Sequence, residues 1–447
     1  MGQGSDSPQG AAAHGTAIFL LVWFGQLISY LGSGLTSFVL GVWVYQRTGS
    51  ATRFALVSTC AVLPSVVISP LAGALIDRWD RRRAMLMSDT GSALGTLAIV
   101  ILLWTGRLEV WHVYLAVAVG ATFYAFQWPA YAATITLLVP KQHLGRANGL
   151  LQFADAAAQV VSPALGGLLL VALSLRGVML IDFATFLFAL VTLLAVRFPQ
   201  PRPAVAEETG RGSLLREALY GWTYITSRPG LFGLLVFIAA SNFLAGIVTV
   251  LATPFVLSFA PVTVLGLVLS VGGCGMLAGG IVMSLWGGPK RRIHGVLGFE
   301  LLRGLGFILA GLRPSTYLLA VAAFFIFFGL PITTGSSLAI WQSKVAPGVQ
   351  GRVFAARRMI AWSSLPFAYL IAGPLADYVF EPLLAVGGPL TGSLGQVIGA
   401  GPGRGIGLLF ILIGVLTILI AVAGYMYPRI RLVEDELPDI VAGEAMA

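Results

Sequence analysis

The stretch GALIDRWDRRRAMLMSD, residues 73–89, packs four arginines and three aspartates into seventeen positions, with long apolar runs on both sides. Charged side chains are expelled from hydrocarbon and collect where it ends, so a cluster placed this way reads as the link between two membrane spans. The chain around it fits that reading. Of its 447 residues 57% are hydrophobic and 10% charged, where a soluble domain carries about 25% charged residues. Mean hydropathy is +0.89. A span needs roughly 20 apolar residues, and such windows recur from Ala17 to Tyr427. Twelve are predicted, at 17–45, 51–76, 84–105, 110–139, 147–173, 176–197, 229–259, 263–286, 295–312, 315–346, 350–378 and 404–428. The first lacks a basic leader and a small-residue cleavage site, so it reads as a retained helix.

The net charge of +9 raises the question of nucleic acid or anionic lipid as partner. Its distribution answers it. With the amino terminus inside, lysine and arginine favour the cytoplasmic segments by about three to one, the positive-inside pattern. The basic excess thus reports orientation, with both termini cytoplasmic in a multi-pass cell-membrane protein, and argues against nucleic acid. Cys60 and Cys274 fall in apolar segments of different halves, expected as buried free thiols. His14, His112, His143 and His294 lie at segment ends or loops without metal-ligand spacing, so neither a metal nor another cofactor is expected.

The sequence divides near its middle. FPQPRPAVAEETGRGS, from Phe198, is too polar to span, and SLLREALYGWTYITSRPG after it sets Leu215, Leu219 and Trp222 on one helical stripe behind Ser213 as N-cap. A short helix along the inner membrane surface is predicted there. The expected organisation is a tail (1–16), a six-helix bundle (17–197), a linker with the interfacial helix (198–228), a second six-helix bundle (229–428) and an acidic tail (429–447). The halves echo each other. VPKQHLGRANGL (139–150) and VAPGVQGRVFAA (345–356) align at an offset of 206, which pairs Gly145 with Gly351, Arg146 with Arg352 and Gly167 with Gly373. FQWPAY (126–131) and FGLPIT (328–333) share phenylalanine and proline, and WGGPKRRIHG (286–295) weakly repeats the charged link. A doubled six-helix unit is the pattern of secondary transporters, with a site near mid-membrane where the repeats meet.

The charged link resembles the signature loop of the major facilitator superfamily, G-x-L-x-D-R-x-G-R-R. Gly73, Leu75, Asp77, Arg78, Arg81 and Arg82 match, and Asp80 replaces the last glycine. Its Asp-Arg-x-Asp-Arg-Arg form is similar to the drug:proton antiporter branch that includes macrolide-efflux and enterobactin-exporter proteins. On helix five the family's antiporter pattern G-x-x-x-G-P-x-x-G-G meets A-x-x-x-S-P-A-L-G-G here; Pro163, Gly166 and Gly167 match, and small residues at the departures still allow close helix packing. The resemblance implies an all-α fold of twelve helices in two pseudo-symmetric bundles. It also implies that Asp77 faces the amino-terminal end of helix eleven, where a helix dipole favours an anion. That end begins near Gly351 and carries Arg352, Arg357 and Arg358. The expected switch is Gly73, Asp77, Arg78, Arg81 and Arg82 closing on those three arginines. The plainer reading of the loop's arginines is attraction to anionic lipid, roughly 1 kcal/mol each.

Ionisable groups inside spans are functional candidates by default. Asp155 lies about two turns into span five with no basic residue within a turn, a setting that suits reversible protonation. Asp182 lies about two turns into span six from the outside, where hydration makes a carboxylate inexpensive. Glu300 and Arg303 are spaced to pair on span nine, and Asp89 follows the first basic cluster at a similar distance, which reads as one structural brace used twice. Asp155, Asp182 and Glu300 are the proton-coupling candidates. Gln26, Tyr30, Phe123, Gln127, Asn242, Phe243, Phe327 and Thr333 are candidate walls of a substrate cavity, competing with plain core or lipid-facing packing. The reading that emerges is a monomeric alternating-access transporter exporting small amphipathic compounds, with protons, that substrate and the bilayer as partners. A siderophore or metabolite exporter stays open within that class. A polytopic membrane enzyme or lipid flippase is the alternative from another class, but no nucleophile–base pair, HExxH or GxSxG is present.

Overall fold

In hydrocarbon every backbone N–H and C=O must be satisfied within its own segment, so apolar runs of this length become helices. The structure, a computed structural model, describes residues 8–76, 80–139, 144–196, 214–346 and 349–436. Asp77, Arg78 and Ser213 lie outside the described residues, as do the side-chain surroundings of Gly73, Arg81, Asp155, Leu215 and Leu219. No strand occurs among the described residues. The chain forms two compact units: Met1–Thr48 with Leu56–Glu207, and Gly49–Ala55 with Glu208–Ala447.

Unit one holds α1 (Pro8–Thr48), most of α2 (Ala51–Ile76), α3 (Arg81–Trp104), α4 (Val110–Leu138) and α5 (Leu144–Ala195). At 52 residues α5 is about twice the length that crosses a bilayer. It breaks at Ser174, whose φ of 59° and ψ of 175° are not helical. The contacts of α1 show what the break does. Along the first arm, Trp23 donates to the carbonyl of Leu150 and Leu31 accepts from Ser162, so the two run in the same sense. Along the second, Gly25 abuts Thr192, Gly32 abuts Thr185 and Thr36 bonds Asp182, which is the opposite sense. The chain therefore reverses at Ser174, and α5 supplies two spans that flank α1. Among the described residues eleven helices are long and apolar enough to cross a membrane, and the division of α5 brings the crossings to twelve.

Unit two holds α6 (Leu214–Thr226), α7 (Pro229–Leu257), α8 (Val262–Trp286), α9 (Arg292–Leu312), α10 (Thr316–Lys344) and α11 (Gln350–Pro374). α11 continues as a π-helical turn, Leu375–Phe380, into α12 (Glu381–Leu384); α13 (Leu394–Ile398), α14 (Arg404–Met426), α15 (Pro428–Arg431) and α16 (Val433–Glu436) follow. Glycine lets α9 and α14 touch backbone to backbone. A Cβ on Gly311 would strike the carbonyl oxygen of Gly407, and one on Gly414 would stand 2.6 Å from that of Gly304. This is the small-residue packing that holds helices together where lipid removes the hydrophobic drive. Large apolar side chains point outward, Leu168, Val171 and Leu305 among them, as a lipid-facing surface requires and a water-facing one does not tolerate.

One local expectation changes. Cys274 is exposed on α8, because the stripe packed against α10 is taken by Gly272, Gly275 and Gly279; Cys60 is half-buried, and both thiols are free. The linker helix forms as α6, with Trp222 exposed and Gly221 and Ile225 turned inward, Gly221 lying against the backbone of Arg352 on α11.

Candidate functional site

Four helices of unit one place polar side chains in two clusters within an otherwise apolar bundle. α1 brings Gln26 and Thr36, α3 brings Asp89 and Thr96, α4 brings Gln127, and the second arm of α5 brings Asp182. The Gln26 amide donates to Asp89 Oδ2 at 3.0 Å. The Gln127 amide donates to Gln26 Oε1 at 2.8 Å and to the other Asp89 oxygen. Two helical turns along α3, about 10 Å, Thr96 donates to Asp182 at 3.2 Å, and Thr36 donates to the same oxygen at 2.7 Å. Asp89 and Asp182 are 3% and 4% exposed. Both line a cavity of about 330 Å3 inside this unit, together with Gln127, Tyr30 and Tyr124. Neither carboxylate forms an ion pair with a described residue.

The hydrogen-bond sets differ in kind. Asp89 is held by amide N–H groups, which only donate and so match an anionic carboxylate. Asp182 is held by hydroxyls, which donate or accept and can follow a carboxyl group through gain or loss of a proton. Unit two is built otherwise. Glu300 and Arg303 form a buried salt bridge at 2.6 Å on α9, and Arg303 also donates to the carbonyl of Ser241. The expectation of one brace used twice is therefore corrected. The place three residues after Asp89 is Ser92, so no arginine answers it, and the glutamines of α1 and α4 take that role.

The remaining candidates separate by unit. Tyr30 and Gln127 line the cavity, and Gln26 stands behind Asp89. Phe123 does not line it; its ring lies on α3 over Gly91, where a Cβ would clash with it, and its carbonyl accepts from Ser88. In unit two Asn242 donates to the carbonyl of Ala361 at 3.1 Å, Phe327 packs on Gly272, Thr333 is buried in α10 and Phe243 is half-buried on α7. In the helix-packing motif Ser162 bonds α1 and Gly166 receives the ring of Phe38, while Pro163 sits inside α5 and Gly167 is buried.

Gly73 lies in α2, and Arg81 opens α3 behind Asp80, whose carboxylate caps it at the amide of Arg83. Arg82 donates to the carbonyls of Leu193 and Leu194 at 3.1 and 2.8 Å, satisfying the end of α5. In unit two Arg357 bonds Ser337 at 3.0 Å and stands over the ring of Trp341, Arg352 stands over Tyr220 of α6, and Arg358 over Trp362. Thr36, Thr96 and Tyr124 escape a sequence reading, and Asp89 reads there only as half of a brace. Asp89 carried a usable signal, since none of its neighbours three or four places away is basic, the criterion that singles out Asp155.

Residues 22–369 match the Major Facilitator Superfamily. The chain belongs to that family. Macrolide efflux protein A of Streptococcus pyogenes is 26% identical over 366 residues, 81% of this chain and 90% of that protein. Multidrug efflux pump Tap of Mycolicibacterium fortuitum is 26% identical over 370 residues, 80% of this chain and 89% of that protein. The resemblance to the branch of macrolide-efflux proteins thus meets named relatives along most of the chain. Among solved structures, a bacterial homolog of the human lysosomal transporter Spinster in an inward-facing, unoccupied conformation has a TM-score of 0.72 at 15% identity, covering 96% of this chain and 99% of that one. A mutant of the nucleoside transporter NupG has a TM-score of 0.71 at 12% identity, covering 91% and 99%. The all-α, twelve-helix transporter fold expected from the sequence is borne out.

Proposed function

We propose that this transporter exports small amphipathic compounds of the drug or antibiotic type, driven by protons, and that the cavity of unit one is where substrate and proton are handled. The observation that carries the reading is two buried carboxylates, Asp89 and Asp182, lining one cavity with no cation paired to either among the described residues. Such groups are costly in a membrane and persist where they do work. Tyr30 and Tyr124 supply aromatic surface beside them, a mixture that suits amphipathic ligands. At about 330 Å3 the cavity is at the small end of ligand sites, so it takes the polar end of a larger molecule.

In this reading Asp89 is the fixed anion that meets the substrate and Asp182 carries the proton, with Asp155 a further candidate. Asp77 and Arg78 close the inner side against the start of α11, both termini are cytoplasmic, the two six-helix halves are joined by the linker at 198–228, and the chain works as a monomer in the cell membrane. Macrolide efflux protein A and Tap, named for efflux, favour export over uptake. The deciding experiment is efflux of a panel containing ethidium, erythromycin and chloramphenicol from energised cells, with and without a protonophore. Gradient-dependent export of several members is expected. Export that ignores the protonophore, or uptake in its place, overturns the proposal.

A further inference from the structure

The π-helical turn after α11 carries Asp377, and Glu381 opens α12 four residues on; each carboxylate caps a different helix. Glu381 accepts from the backbone amides of Gly403 and Ile406 at 3.1 and 3.0 Å, at the start of α14. Asp377 accepts from the amides of Ala51 and Thr52 at 3.0 and 2.9 Å and from the hydroxyl of Ser50 at 2.6 Å, at the start of α2. The first amides of a helix have no acceptor within it, and a carboxylate placed there also meets the positive end of the helix dipole. The approach is tight. A Cβ on Gly373, one turn before Asp377, would collide with the Cα of Thr52.

The two caps differ in what lies beyond them. α14 stays in unit two throughout, whereas α2 leaves that unit after Ala55 and continues as part of unit one. The cap at Asp377 thus fastens to unit two the first turn of a helix whose remainder belongs elsewhere. It has no counterpart in the first half, where the 206-residue offset puts Val171 and Leu175 at the corresponding places. π-Turns interrupt the regular ladder and concentrate at working sites.

We propose that Asp377 is a positioning residue of the transport cycle, a latch that holds the start of α2 against α11 in one conformation and releases it in the other. The proposal requires transport but neither a direction nor a coupling ion. Its test uses the full chain in nanodiscs and membranes, as wild type, Asp377→Ala and Asp377→Glu. Hydrogen exchange is read at residues 49–55. In versions with Cys60 and Cys274 replaced by serine and Ala55→Cys added, labelling of the introduced thiol by an impermeant maleimide is read from each membrane face; Ala55 is 2% exposed when the latch is closed. Asp377→Ala is expected to speed exchange at Ala51 and Thr52 by about tenfold or more, as loss of a charge-assisted bond implies. It should also open the introduced thiol to one face only and slow ethidium transport, with Asp377→Glu recovering part of each. Exchange that stays slow, faster exchange with the thiol still unreactive, or transport at the wild-type rate in a normally inserted Asp377→Ala overturns the proposal. If Asp377→Ala fails to insert, Ser50→Ala removes one of the three donors; a smaller change in the same direction supports the latch and none overturns it. Failure of wild type to move ethidium counts against the efflux reading alone, because the exchange and labelling arms need no substrate.

Discussion

Asp182, on the second arm of α5, accepts a 2.7 Å hydrogen bond from the hydroxyl of Thr36 on α1. With Thr96 bonded to the same oxygen, three helices of unit one meet on one carboxylate. Asn at 182 keeps an acceptor for both threonines but cannot exchange a proton. Asp182→Asn is therefore expected to lower gradient-driven efflux tenfold or more, equivalent to ~1.4 kcal/mol, while substrate exchange across de-energised membranes persists. Measuring both rates in one vesicle preparation checks this, and retained gradient-driven accumulation removes Asp182 as the proton carrier.

Asp89 carries a different expectation because its partners only donate. A substrate cation answers it better than a proton does, so Asp89→Asn should weaken binding of ethidium, a cation, by about tenfold, the ~1.4 kcal/mol scale of one lost charge contact. Uncharged chloramphenicol should change by less than about threefold under the same scale. Competition binding to purified protein reads both. Equal losses for the two ligands would mean that Asp89 shapes the bundle without selecting charge.

Glu300 and Arg303 share a 2.6 Å bridge at 3% and 9% side-chain exposure, so removing one leaves the other charged and unpaired in the interior. Arg303→Met is expected to cost roughly 3–5 kcal/mol, whereas the double change Glu300→Gln, Arg303→Met should recover most of that loss. Thermal unfolding followed by size-exclusion of detergent-purified protein measures the difference. If the double variant is no better than the single one, the pair is not the source of the loss.

The fold was legible because bilayer thickness sets run length and charge marks the ends of runs. The gap predicted between 173 and 176 falls at Ser174, where the backbone leaves the helix. The site was legible in part. Gln26, Tyr30, Gln127 and Asp182 stand out as polar or titratable groups inside apolar runs, which needs no knowledge of neighbours. Asp89 was misread because spacing from an arginine cluster along the chain says nothing of which residue faces it across α1 and α4. Asp377 gave no signal at all. It sits at a span end, where a carboxylate is inexpensive, and its role exists only through a helix that begins more than 300 residues earlier. Phe123 was misplaced for a related reason: its ring packs where Gly91 of α3 opens a space, and the position of that glycine against it is a tertiary fact.

Arg82 and Asp77 belong to one sequence motif, yet they are expected to part under mutation. Arg82 reaches the last carbonyls of α5, at Leu193 and Leu194, so its guanidinium holds that helix end within unit one. Because the group is partly exposed, Arg82→Ala should cost no more than about 1–2 kcal/mol, with transport falling only as far as the folded protein does. Arg82→Lys keeps a donor and should lose less. Asp77→Asn, if Asp77 is the switch that closes on the start of α11, should abolish transport with membrane insertion and thermal midpoint unchanged. Efflux normalised to inserted protein, measured beside the thermal midpoint for each variant, separates the two. A parallel fall of stability and transport for Asp77→Asn, or normal transport by an inserted Asp77→Asn, would make the loop an anchor for topology, its arginines serving lipid and the helix end alone.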